Sequence, residues 1–100
     1  MDALQVISEP RRREILRLVW NRELSAGEIA GQFDVTFGAV SQHLGILRDA
    51  GFVLTRRDGN RRMYRADRVH LGPLGDALEA MWTDTLDRLA DAVEANLNAP

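Results

Sequence analysis

The chain has 100 residues, 45% of them apolar and 28% charged, with no cysteine and a formal charge of −2 at neutral pH, which suits one domain and leaves too little apolar surface for two independent cores. The missing cysteines exclude disulfides, thiolate metal sites and cysteine nucleophiles, and the ordinary composition argues against disorder. Without an apolar run near 20 residues or a basic-then-apolar leader, the expectation is a cytoplasmic protein with no membrane partner.

Residues Asp2–Ile7 form a short apolar-rich segment, too short to hold a helix without something to dock on. Ser8-Glu9-Pro10 carries capping residues ahead of a proline suited to a first helical turn, and Ile15, Leu16, Leu18 and Val19 follow at helical spacing, which predicts a helix over 10–20. Ser25 and Glu28 have capping-box spacing, predicting a short helix to about Phe33. Thr36 then caps a third helix with the seam Val40, Leu44 and Leu47, closed by Gly51. Two helices joined so closely make a helix-turn-helix candidate. Phe52–Thr55 favours a strand, Asp58-Gly59-Asn60 a tight turn, and Met63-Tyr64 the return strand, together a charged hairpin. Asp67 and His70 lie in the stretch leading to the last helix. As a metal pair they lack a third ligand nearby. From Leu71 on, Leu74, Leu78, Met81, Leu86, Leu89, Val93 and Leu97 mark one amphipathic helix over about 72–96. Such a helix spans nearly 40 Å at 1.5 Å per residue, about more than a domain of this size can cover, so the surplus apolar stripe calls for a second subunit.

Charge is placed unevenly along these elements. Between Thr36 and Arg68 seven arginines stand against Asp49, Asp58 and Asp67, whereas from Val69 on Arg88 alone stands against six acids. The first stretch is suited to an anion, the second is not. Advancing about 100° per residue from Val40 keeps Leu44 and Leu47 beside it and turns Gly38, Gln42, Gly45 and Asp49 the opposite way. Gln42 can pair with adenine in the major groove, and Ser41 on the flank can bond a base or a phosphate. The alternative is an ordinary polar face, but two outward glycines each cost about 1 kcal/mol in helix propensity, which solvation alone does not require and close approach to DNA does.

Thr36 and Ser25 stand at helix starts, where phosphate binding and simple capping are both open. Arg56, Arg57, Arg61, Arg62 and Arg65 surround the hairpin turn, suited to phosphates or a minor groove, and alternation sends Arg56 and Arg57 to opposite faces. Arg11, Arg12 and Arg13 open a helix where positive charge opposes the dipole, so either Glu9 and Glu14 compensate them or a phosphate does. His43 falls about 60° from the apolar seam, at its boundary. Ser41 and His43, two apart on a helix, cannot meet as nucleophile and base, so no catalytic site is expected. Trp82, at the edge of the last stripe beside Met81, is a core or interface residue, with an effector pocket as the alternative.

The stretches SEPRRREILRLV, VSQHLGILRDAGFV and RRDGNRRMYR together resemble the ArsR/SmtB family of bacterial repressors across nearly the whole chain. The resemblance implies a mainly α fold with a small β-hairpin, a winged helix-turn-helix of order ααααββα. It implies one domain over 1–100, with 8–68 as the DNA-binding core and 1–7 and 71–97 as dimerising helices. The partners implied are a second copy of the chain and double-stranded promoter DNA carrying an inverted repeat. Recognition falls to Thr36, Phe37, Gly38, Ser41, Gln42, His43 and Gly45, and the wing contact to Arg57, Asn60, Arg61 and Arg62. Further phosphate candidates are Ser25, Arg11 and Arg12. The dimer interface is expected from Leu4, Ile7, Leu74, Leu78, Met81, Trp82, Leu86, Leu89 and Val93.

Many members of that family sense metals through cysteines before the recognition helix or through Asp and His along the last helix. Here Gly31–Thr36 has no thiol and the last helix no histidine, so no metal or other cofactor is expected, and no effector is named. Two other readings stay open: a winged-helix protein-interaction module, which the basic segment disfavours, and a metal sensor with a novel site.

Overall fold

In the computed structural model the backbone is described for residues 1–97, and the side chains for 1–84, 89, 90, 92 and 93. The elements run α1 (Ala3–Ser8), α2 (Pro10–Leu18), β1 (Leu24–Ser25), α3 (Ala26–Ala30), α4 (Phe37–Asp49), β2 (Val53–Asp58), β3 (Arg61–Ala66), α5 (Arg68–Leu71) and α6 (Pro73–Leu97). They fall into two compact units, Met1–His70 and a second beginning at Leu71.

Each helix of the first unit is started by its own sequence. The Asp2 carboxylate accepts from the Gln5 amide while the Gln5 side chain accepts from the Asp2 amide, a reciprocal box around α1. Glu9 caps α2 through the Arg12 amide, with Pro10 in the first turn. Ser25 and Glu28 close the same box on α3 at 3.1 and 2.9 Å. Thr36 Oγ1 accepts from the Ala39 amide at the head of α4.

Helix α4 ends as sharply as it begins. Gly51, at φ +78°, donates to the Arg48 carbonyl, and Phe52 donates to the Leu47 carbonyl, a paired closure that requires a left-handed residue. Space reinforces the requirement, because a Cβ on Gly51 would lie 2.8 Å from His70 Nε2. His70 thus packs against this turn, and Asp67 caps its amide at 3.1 Å. Among the described residues there is no group of three or more metal-ligating side chains.

Three differences from the sequence expectation concern short elements. The hairpin gains a third strand, β1, giving the order β1-β3-β2 with Leu24 opposite Tyr64 and Ser25 opposite Met63. The stretch before the last helix forms α5, set off by Gly72 at φ +54°. Helices α2 and α3 stop two or three residues early, the turn after α3 continuing through Gln32–Ile29 and Phe33–Ala30 backbone bonds. Between β2 and β3 only Gly59 has positive φ, at +62°, the pattern of a two-residue type II′ turn.

The first unit's core is formed by Val6 of α1, Ile15, Leu16 and Val19 on α2 and its cap, Ile29 of α3, and Val40, Leu44 and Leu47 of α4. Phe52, Val53, Met63 and Tyr64 are buried from the sheet side. The seam at 40, 44 and 47 therefore faces inward, which fixes the opposite face of α4 outward. In the second unit α6 carries Leu78, buried, and Met81, Leu89 and Val93, exposed at 45%, 57% and 55%. The expected interface residue Leu86 lies outside the described side chains.

Candidate nucleic-acid interface

On α4, Phe37, Gly38, Ser41 and Gln42 are exposed, and His43 and Gly45 are partly covered. Among the described residues no hydrogen bond or ion pair engages the side chain of Ser41 or Gln42, so both side chains keep their donors and acceptors for an outside partner. A Cβ on Gly38 would meet nothing within 4 Å, and one on Gly45 only the flexible Arg48 Nη2 at 3.9 Å. Nothing inside the chain demands glycine at either place. Thr36 is exposed but occupied, its hydroxyl serving as cap.

The wing divides its arginines by register. Arg57 stands directly opposite Arg62, and Arg56 opposite Met63, so the Arg57–Arg62 pair shares one face and Arg56 and Arg61 the other. On the second face acids are waiting. Arg56 Nε lies 2.9 and 2.8 Å from the two Glu23 carboxylate oxygens, a fork that raises the Arg56 pKa, chiefly through hydrogen bonding. Arg61 lies 3.8 Å from Glu28 and 3.6 Å from Asp58. The Ser25 amide, then the Ser25 hydroxyl, hold the Glu28 carboxyl below the ordinary glutamate range, with smaller contributions from Arg61 and Arg22. Among the described residues no acid pairs with Arg57 or Arg62. Like charges directly opposite across a hairpin destabilise it, and a bound anion would relieve them. The exposed Asn60 is the second turn residue, between Gly59 and Arg61.

An exposed amide-bearing helix face and a wing with two uncompensated guanidinium groups, in one unit, have the form of a duplex-reading module. The model of the bacterial regulatory proteins of the arsR family matches residues 9–55, from the cap of α2 into β2. The HTH-type transcriptional regulator Rv2034 of Mycobacterium tuberculosis is 34% identical over 93% of this chain and 87% of its own length. The chain belongs to the arsR family. It is a DNA-binding transcriptional regulator with a winged helix-turn-helix, not an enzyme. The arsenical resistance operon repressor of Staphylococcus xylosus is 34% identical over 80% of this chain and 77% of its own. The solved structure of a possible transcriptional regulator for arsenical resistance superposes with a TM-score of 0.70 at 38% identity, covering 92% of this chain and 96% of that one.

Against that family frame, several expected contacts are placed elsewhere. Arg12 is buried, its Nε donating to the Val6 carbonyl at 2.6 Å and its Nη2 to the Gln5 carbonyl at 3.2 Å, with Nη1 3.4 Å from His43 Nδ1. These donors are spent on carbonyls that the end of α1 leaves without a partner in the helix, so Arg12 is turned away from phosphate. Arg13 does the same for the Ile7 carbonyl at 2.7 Å. Arg11 pairs with Glu14 at 3.4 Å and lies over the Phe33 ring at 4.7 Å. Ser25 is 5% exposed and occupied by its capping box, which leaves the capping reading and removes the phosphate one. Arg61 is a weaker phosphate candidate than Arg57 or Arg62 because two carboxylates already face it. Leu4 is 69% exposed, whereas Ile7, Leu74 and Trp82 are partly covered. Leu78 is 4% exposed within the single chain. No described helix is long and apolar enough to cross a membrane.

Proposed function

We propose that the chain is a cytoplasmic homodimeric repressor binding an inverted-repeat operator, and that no thiolate metal site controls it. The observation that carries this reading is the outward face of α4, where Ser41 and Gln42 are unengaged between two glycines that nothing in the fold requires. Gln42 and Ser41 read base edges in the major groove, while Arg57 and Arg62, with Asn60 at the tip, contact flanking phosphates. The first unit supplies DNA binding, with α1 and α6 joining two copies through Leu4, Met81, Leu89 and Val93, apolar side chains left exposed in one chain. Repression is favoured by the likeness to the arsenical resistance operon repressor of Staphylococcus xylosus. The absence of cysteine from this chain supports independence from thiolate-bound metal.

Selection of bound sequences from random DNA tests the reading. Two half-sites centred about 34 Å apart, one helical turn, are expected for a dimer. With three to five phosphates contacted per subunit, the log–log salt slope should be roughly −5 to −9. A slope near zero, or enrichment of no sequence, refutes the mechanism. Gln42→Ala should relax preference at one base pair per half-site, costing about 1–3 kcal/mol there, and leave the salt slope unchanged.

A further inference from the structure

The chain has three phenylalanines, and the fold uses two of them. Phe52 is 5% exposed in the core, and Phe33 lies beneath the Arg11 guanidinium. Phe37 is 57% exposed at the first position of α4, and Val35, two residues earlier, is 39% exposed. The apolar seam of α4 is complete without them at Val40, Leu44 and Leu47. Exposed apolar side chains are common on protein surfaces, so it is the place of this ring, at the head of the helix that carries Ser41 and Gln42, that gives it meaning.

Its position defines the partner. Phe37 and Ser41 are four residues apart and so neighbours on the helix surface, and Gln42 follows. The ring therefore lies on the Ser41 flank of the face assigned to base edges, about 60° from the Val40 seam and one turn nearer the head of the helix. It sits at the positive end of the helix dipole, on the same unit as the uncompensated Arg57–Arg62 pair, a setting that favours an anionic duplex over an apolar protein surface. In the major groove one apolar group projects from the base edges, the C5 methyl of thymine.

We propose that Phe37, flanked by Val35, packs on a thymine C5 methyl and fixes that base at one position of each half-site, beside the base read by Gln42. The proposal rests on the DNA-binding reading above. It adds a hydrophobic element of sequence specificity at the head of α4 that neither glutamine nor arginine supplies.

Replacing thymine by deoxyuridine removes the methyl and leaves every hydrogen bond of the base pair in place. Each thymine of a selected operator is replaced in turn, and affinity is measured by fluorescence anisotropy with the full chain. One position per half-site should lose about four-fold, and the operator substituted in both half-sites about 15-fold, the loss expected for one unburied methyl per subunit. The Phe37→Ala variant should bind the thymine and deoxyuridine operators equally. Phe37 lies outside the core, so the variant should keep the parent's circular dichroism and unfolding midpoint. A selected half-site without thymine, unchanged affinity for every deoxyuridine operator, or an undiminished penalty in Phe37→Ala each overturns the proposal while leaving DNA binding intact. Failure of the parent chain to bind any selected DNA instead removes the reading beneath it.

Discussion

Replacing the two outward glycines of α4 by alanine should separate stability from DNA binding, moving them in opposite directions. Gly45 lies in the body of the helix, where alanine is favoured over glycine by about 0.8–1 kcal/mol. Gly38 lies in the first turn, where part of that gain is expected. Neither has positive φ, so alanine fits the existing backbone. Nor does either Cβ clash, with open space at Gly38 and only the end of Arg48 at 3.9 Å from Gly45. The double variant should therefore gain about 1–1.5 kcal/mol. For a domain of this length that raises the melting midpoint by about 4–12 °C. If the glycines are there for close approach of DNA, a methyl at Gly38 intrudes on a packed interface. Overpacking of this kind costs about 1–3 kcal/mol, a five- to 150-fold loss of operator affinity by the usual conversion of about 1.4 kcal/mol per decade. Thermal melts and anisotropy titrations on one preparation measure both. A Gly38→Ala variant that is more stable and binds the operator as tightly as the parent would refute the close-approach argument.

Other predictions follow from the way the arginines are partnered. Arg57→Ala or Arg62→Ala should flatten the salt slope by about 2 for a dimer, one phosphate per subunit, whereas Arg56→Ala should leave it unchanged because Glu23 already holds that guanidinium; equal slopes for all three would contradict the division of the wing. Glu28 titrates below its unfolded-state range, so its contribution to stability is present above that range and lost as pH falls through the folded-state value. Glu28→Gln can keep the capping geometry without the charge, so it should lessen the fall in urea midpoint on acidification, and parallel pH curves would refute the assignment. Arg12→Met should destabilise the fold by about 3–6 kcal/mol through two lost charge-assisted bonds of about 1.5–3 kcal/mol each and reduce hydrogen-exchange protection in α1, and a loss under about 0.5 kcal/mol would show those bonds to be unimportant.

What could be read from the sequence was whatever rested on local chemistry. Thr36 and Gly51 bracket α4, because a capping hydroxyl and a left-handed residue act within a few positions, and the 40-44-47 seam orients it. The hairpin turn was legible for the same reason, since Gly59 supplies the positive φ. What escaped depends on distant partners. Two residues, Leu24 and Ser25, become a strand only because β3 offers an unpaired edge. The fate of Arg12 could not be read from a run of three arginines, since it is set by carbonyls six and seven residues earlier. The separation of Arg57 and Arg62 from Arg56 and Arg61 needed the register and the positions of Glu23 and Glu28. Counting charge in the basic segment therefore overstates what it can offer a phosphate.

The same partnering bears on how α4 holds its outward face. Apolar contacts at Val40, Leu44 and Leu47 attach the helix to the core, but they are non-directional and resist a small rotation about its axis weakly. Polar contacts are directional, and α4 has them at the edge of its seam. His43 Nδ1 faces Arg12 at 3.4 Å and its Nε2 lies 3.8 Å from Glu9, while Arg12 is itself fixed by the carbonyls of α1. Turning the helix by the angle between adjacent residues would swap Gln42 for a neighbour on the outward face and pull His43 from both partners. His43, a boundary residue by its spacing, thus opposes the rotation that would scramble base reading, chiefly through Arg12, which holds the end of α1. Displacing α1 would strip Arg12 of its carbonyl partners and loosen that restraint on α4.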